Sequence, residues 1–168
     1  MDHGSFTGLR IGISTIKAFS DVTGLPIVGI SSLESLAYNI KKEGLIVSLI
    51  DAKNDNVYFS LFNLNNGIYS KKEDFSCSNI NDISNVLKRY SQENITFVGD
   101  GSVIHRDILE ANFSFSTFAS EDENMQNSVS IGLAALDKYK AGFSQNSNTL
   151  LPLYLRKSQA ERALDGEK

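Results

Sequence analysis

Few side chains in this sequence combine the type and the spacing that chemistry needs. Asp51 closes an apolar, β-rich run from Leu45 to Ile50. A carboxylate there can help hold a metal and a phosphate if the next turn offers backbone N–H donors. That turn is Ala52-Lys53-Asn54-Asp55-Asn56, which lacks glycine and adds a second carboxylate, so it reads first as a capped β-turn. Gly99-Asp100-Gly101-Ser102 follows a predicted strand and precedes a predicted helix, where a nucleotide loop would sit. Two glycines in four residues also describe an ordinary strand-to-helix turn. His3 and His105 are the only histidines, and neither has a partner at ligand spacing; Asp107, two residues from His105, would point to another helix face. Ser5 stands directly after Gly4, whereas a hydrolase nucleophile turn needs G-x-S-x-G. Cys77 lies in Ser76-Cys77-Ser78-Asn79 with no base beside it. Asp51, Gly99 and Gly101 remain as the candidates for a nucleotide site; no catalytic residue, metal site or cofactor is expected.

Composition narrows the function classes. A chain of 168 residues, 41% hydrophobic and 21% charged, has the material for one globular domain, or one domain plus a piece of another. The formal net charge of −4 and the absence of a long basic run argue against tight tRNA or DNA binding by this chain alone. The lone cysteine excludes an internal disulfide. No apolar run approaches the ~20 residues of a membrane span, and no signal peptide is recognisable, so a cytoplasmic protein is expected.

The elements that must position these residues fall into two groups. A glycine-rich turn, Gly4 to Gly8, runs into a helical segment from Leu9 to about Val22 that is apolar nearly all round. Gly4, Gly8 and Gly12 recur every four residues, and a glycine inside a helix costs about 1 kcal/mol relative to alanine. Close approach of another backbone would offset that cost. The helix is therefore expected either in a tight core or between its own domain and a partner. Pro26 to Ile30 reads as a short buried strand in a mostly parallel sheet, and Ser31-x-x-Glu34 as a capping box opening a helix with Leu33, Leu36, Ala37 and Ile40 inward.

Beyond Gly44 the pattern changes. Leu45 to Ile50, Val57 to Leu64 and Ile68 to Phe75 read as three antiparallel strands, with Asn66-Gly67 as a hairpin turn. A helix over about 81–90 should face inward through Ile83, Val86, Leu87 and Tyr90. Ile95 to Val98 reads as a strand, Val103 to Asn112 as a helix and Phe113 to Phe118 as a short strand. Ser128 should cap a helix with Val129, Leu133 and Leu136 on one face, closed by Gly142. The order β-β-β-α-β-α is that of one half of the actin-like, sugar-kinase-like (ribonuclease H-like) α/β architecture. The expected organisation is a partial first half over residues 1–44, a complete second half over 45–156 and a loose charged tail over 157–168.

Gly4-Ser5-Phe6-Thr7-Gly8-Leu9-Arg10-Ile11-Gly12, then Lys17-Ala18 and Pro26-x-x-Gly29-x-Ser31-Ser32-Leu33, closely resemble the TsaB (YeaZ) family. Pro152-Leu153-Tyr154-Leu155-Arg156 resembles the family's terminal P-x-Y-L-R, and Ile50-Asp51-Ala52 with Val57-Tyr58 its central strand pair. The resemblance runs from Gly4 to Arg156 in order. It implies an actin-like fold without a conventional ATP or metal site. It also implies a non-catalytic activator of TsaD, acting with TsaC and TsaE in making threonylcarbamoyladenosine beside the tRNA anticodon. The first helix is then implied at a TsaB–TsaD or TsaB–TsaB interface, with Phe6, Leu9, Arg10, Ile13, Ser14 and Lys17 as interface residues and Arg10 the polar anchor. TsaE is expected through the complex. The family usually begins with a strand carrying I-D-T-S/A-T and further elements, so a first half cut short is expected here. Asp2-His3-Gly4 also replaces the usual G-P-G, losing a fixed-φ proline.

Two other functions fit less of the sequence. One is a nucleotide-dependent transferase or a glycoprotease-like peptidase of the same fold, using Asp51 and the Gly99–Gly101 turn. The other is a remnant without function. An incomplete first half would expose apolar surface and a sheet edge, so self-association is expected.

Overall fold

The computed structural model describes residues 6–155. Phe6–Thr23 forms α1 and Ser32–Ala37 forms α2. Three strands follow: β1 (Gly44–Asp51), β2 (Asn56–Asn65) and β3 (Ile68–Asn79). Then come α3 (Ile80–Leu87) with a 3-10 turn to Tyr90, β4 (Ile95–Val98), α4 (Asp100–Ile104), α5 (Arg106–Asn112), β5 (Ser116–Phe118) and α6 (Ser128–Lys140). The five strands form one sheet in the order β3-β2-β1-β4-β5, with β2 antiparallel to its neighbours and the β1–β4 and β4–β5 pairs parallel.

Period-two alternation builds a core on each face of this sheet. Leu45, Val47 and Leu49 of β1, Val57, Phe59 and Leu61 of β2, and Ile95 and Phe97 of β4 pack with Ile80, Ile83 and Leu87 of α3 and with Leu109 and Phe113. The intervening residues Ile46, Phe62, Leu64 and Val98 pack on the other face against Leu36, Ala37 and Ile40. Asn66 and Gly67, with φ of 50° and 74°, make the hairpin the sequence predicts. Helices on both faces of a mixed sheet define an α/β fold.

Several local expectations are corrected. The segment from Pro26 to Ile30 is not a strand; Ile27 makes one antiparallel bridge with Gln145 and the segment joins no sheet. Ser31 does accept a hydrogen bond from the Leu33 N–H at 3.3 Å, but Glu34 reaches Lys138 on α6 instead of closing the capping box. The helix predicted over Val103 to Asn112 is two short helices breaking at His105, and β3 runs on to Asn79. Val86 is exposed, while Ile80, unassigned from sequence, is fully buried.

The apolar face of α6 named from the sequence points to solvent. Val129, Leu133 and Leu136 are exposed, and the residues turned inward are Ser130 and Ala134. Small and polar groups let α6 approach α2. Asn39 Oδ1 accepts from Ser130 Oγ at 2.5 Å and from Asn127 Nδ2 at 3.2 Å, and Lys138 pairs with Glu34 at 2.6 Å. The cap itself is Asn127, which accepts from the Ser130 N–H. The interface is polar because both helices present hydrogen-bonding side chains there, which an apolar-periodicity reading passes over.

Candidate functional site

The sheet brings the nucleotide-site candidates together. β1 and β4 run parallel, so Asp51 and the turn Gly99-Asp100-Gly101 meet at their C-terminal ends, where open α/β sheets bind ligands. The Asp51 N–H donates to Asp100 Oδ1 at 3.1 Å. Asp51 is buried, and its carboxylate accepts from both the backbone N–H and the ammonium of Lys53, at 3.0 and 2.8 Å. Lys53, Asn54 and Asp55 all have positive φ, a run of left-handed residues pinned by that carboxylate and by the Asn56 side chain.

The glycines serve packing. Gly99 has φ +99°, and a Cβ there would lie 2.2 Å from the Leu49 carbonyl oxygen. At Gly101 it would lie 3.0 Å from the Leu49 carbonyl carbon. The turn is therefore pressed onto β1, and its Gly99 N–H donates to Asn124 Oδ1 at 2.7 Å. Ser102 Oγ and N–H both donate to the Gly99 carbonyl. These contacts give both glycines a packing role on β1. Among the described residues no group of three or more His, Cys, Asp or Glu side chains is placed to hold a metal ion. His105 is buried at the α4–α5 break, and Cys77 is half-buried in β3.

The other candidate is α1, and its surroundings correct the core-helix alternative. It lies outside both apolar cores, and none of its described residues is buried. Ile11 and Phe19 are each 62% exposed and Val22 87%. An added Cβ at Gly12 would meet nothing within 4 Å, so no other element among the described residues packs on it.

Helical spacing divides α1 into two sides. Arg10, Ile13, Lys17 and Ser20 share one; Ile13, Lys17 and Ser20 are half-buried, and Arg10 Nε donates to the Tyr154 hydroxyl at 3.2 Å. Ile11, Thr15, Phe19 and Val22 share the opposite, open side, bordered by Leu9, Gly12 and Ile16. Of the six residues expected from sequence, Ile13 and Lys17 are half-buried, Arg10 is exposed but bonded to Tyr154, Leu9 and Ser14 are exposed, and Phe6 opens the helix. Ser5, His3 and the tail over 157–168 lie outside the described residues. Ile11, Phe19 and Val22 lie outside those six. The signal for them was the apolar character all round the helix, which could not rank its sides.

One aromatic pair orders the neighbouring α2–β3 contact. Tyr38 and Tyr69 stack with ring centroids 3.9 Å apart. Tyr38 donates to Asp137 Oδ2 at 3.1 Å and Tyr69 to the Ile40 carbonyl at 2.6 Å. Burial first, then the hydrogen bond and charge of Asp137, hold the Tyr38 phenol well above its ordinary value of 10.0. Burial, followed by the charges of Asp137 and Glu43, raises that of Tyr69.

This arrangement of sheet and flanking helices is an actin-like, ribonuclease H-like α/β fold. YeaZ from Pseudomonas aeruginosa superposes with a TM-score of 0.68 at 18% identity, over 91% of this chain and 71% of its own. An uncharacterised protein with similarity to peptidase YeaZ, also from Pseudomonas aeruginosa, superposes with a TM-score of 0.69 at 18% identity, over 92% and 70%. The family model described as TsaD, tRNA N6-adenosine threonylcarbamoyltransferase, matches residues 4–164. The tRNA threonylcarbamoyladenosine biosynthesis protein TsaB of Bacillus subtilis is 30% identical over 159 residues, 94% of this chain and 68% of that relative. TsaB of Haemophilus influenzae is 22% identical over 98% of this chain and 71% of its own length. The chain belongs to the TsaB (YeaZ) family.

Proposed function

We propose that this chain acts in tRNA threonylcarbamoyladenosine biosynthesis as a non-catalytic partner of TsaD, docking through α1. The family membership supports the pathway, because its named relatives are threonylcarbamoyladenosine biosynthesis proteins. The observation that carries the docking role is the open side of α1. An 18-residue helix with Ile11, Phe19 and Val22 in solvent, and with Gly12 uncovered among the described residues, is an incomplete packing unit. A helix of the partner laid against it would remove that apolar surface from water and use the close approach the glycine permits.

A non-catalytic role agrees with how the acidic and glycine candidates are used. Asp51 holds the Lys53 turn, and Gly99 and Gly101 let the β4–α4 turn lie on Leu49. Residues 1–44 carry the docking elements in this reading, and 45–156 are the second actin-like half. TsaE joins through the complex, and a homodimer formed on the same helix is the state without TsaD. The protein works in the cytoplasm and leaves tight tRNA binding to its partners. Expression in cells depleted of their own TsaB tests the proposal: restored modification is expected from the parent and from Asp51→Asn, and failure with Phe19→Glu. Restoration by Phe19→Glu together with loss in Asp51→Asn would contradict it and favour catalysis at the β1–β4 turn.

A further inference from the structure

We propose that residues 144–155 form a strap that fixes α1 by its Arg10 side and so presents the opposite side to a partner; the second clause rests on the docking role above. α1 leaves the body through Gly24, at φ +70°, then Leu25 and Pro26. Ser20 Oγ donates to the Leu25 carbonyl at 2.7 Å and closes this exit. Ile27 and Gln145 then exchange two backbone hydrogen bonds, at 2.8 and 2.7 Å. Past Gln145 a turn is held by the Asn146 side chain, whose Oδ1 accepts from the N–H groups of Asn148 and Thr149 at 2.9 and 3.1 Å.

The next residues continue along the helix. Leu150 is buried, and a Cβ at Gly29 would lie 3.3 Å from its Cδ1 and 3.1 Å from Gln145 Oε1, so the strap packs closely over Gly29. Four residues later the Tyr154 hydroxyl accepts from Arg10. One continuous segment thus contacts the chain just beyond the C-terminal end of α1 and again near its N-terminal end. An open polar cleft of about 570 Å³ lies where the strap begins, between Ser20, Asp21 and Gly24 and the turn at 144–149.

The consequence is orientational. A helix joined to the body at one end pivots there, and docking must remove that freedom at a cost in association. Holding Arg10 at the far end removes it beforehand. Tyr154 is then a positioning residue whose hydroxyl acts through Arg10. The test places spin labels at Ser14→Cys on α1 and Asn85→Cys on α3, in a Cys77→Ser background, and reads the distance distribution. The expected result is a narrow distribution in the parent and in Tyr139→Phe, a broad one in Tyr154→Phe, and an affinity for TsaD about 3- to 10-fold weaker in Tyr154→Phe. An equally narrow distribution in Tyr154→Phe overturns the strap. A broadened distribution with unchanged affinity overturns its role in docking. A parent that does not bind TsaD at all overturns the docking reading, and the distance measurement still decides the strap.

Discussion

At Gly99 the chain has no room for a side chain: the Cβ of any other residue would sit 2.2 Å from the Leu49 carbonyl oxygen, at a φ that L-residues rarely adopt. Gly99→Ala should therefore destabilise the fold by about 2–4 kcal/mol, read as a lower urea midpoint. Asp51 behaves differently. Its carboxylate is buried, but the Lys53 side chain beside it is 69% exposed, so solvent screens the pair. Asp51→Asn should cost no more than about 1 kcal/mol in the same titration. A larger loss would mean the run of positive φ at Lys53, Asn54 and Asp55 depends on full ionisation. The sequence singled out both residues for their place at strand ends, and that placement was right. The packing role of Gly99 was not legible, because a glycine needed for packing and a glycine needed for phosphate look the same in one dimension.

Among the elements, strands β1, β2 and β4 were readable to within a residue because β1 and β4 are short apolar-rich runs, β2 alternates, and each ends in a turn. β3 outran its prediction through Ser76, Cys77, Ser78 and Asn79, polar residues that a ladder with β2 holds in the strand. Pro26 to Ile30 failed as a strand because its apolar run finds one bridge partner and no sheet neighbour. For α1 the sequence left core and docking surface open, since a helix apolar all round suits both; only the fold puts Phe19 and Val22 in water. It follows that Phe19→Glu should change stability by less than about 0.5 kcal/mol, as an exposed substitution does. The tyrosine stack should respond to alkali. Both phenols have pKa values raised above the ordinary 10.0, so the folded state holds protons that the unfolded chain releases. Their stabilising contribution is complete below pH 10 and is lost as pH rises beyond it. The thermal midpoint should fall above pH 10, and Tyr38→Phe should flatten that fall; an unchanged slope would contradict the assignment.

For the molecule as a whole, the fold class was legible because element order alone separates three antiparallel strands from the α-β-α that follows. The distribution of apolar surface was not. α1 exposes one side, and α6 turns Val129, Leu133 and Leu136 outward while burying Ser130 and Ala134. With two apolar helix surfaces in solvent, the isolated chain should self-associate, and light scattering should show a mass that rises with concentration. Phe19→Glu should lower that rise; a monomer at every concentration would show that these surfaces are not adhesive. The central claim is that α1 docks TsaD, and calorimetric titration of TsaD into this chain tests it most directly. The predicted result is saturable binding by the parent, at least tenfold weaker in Leu9→Glu and in Phe19→Glu while both remain folded. Equal binding by the parent and both variants would contradict the account.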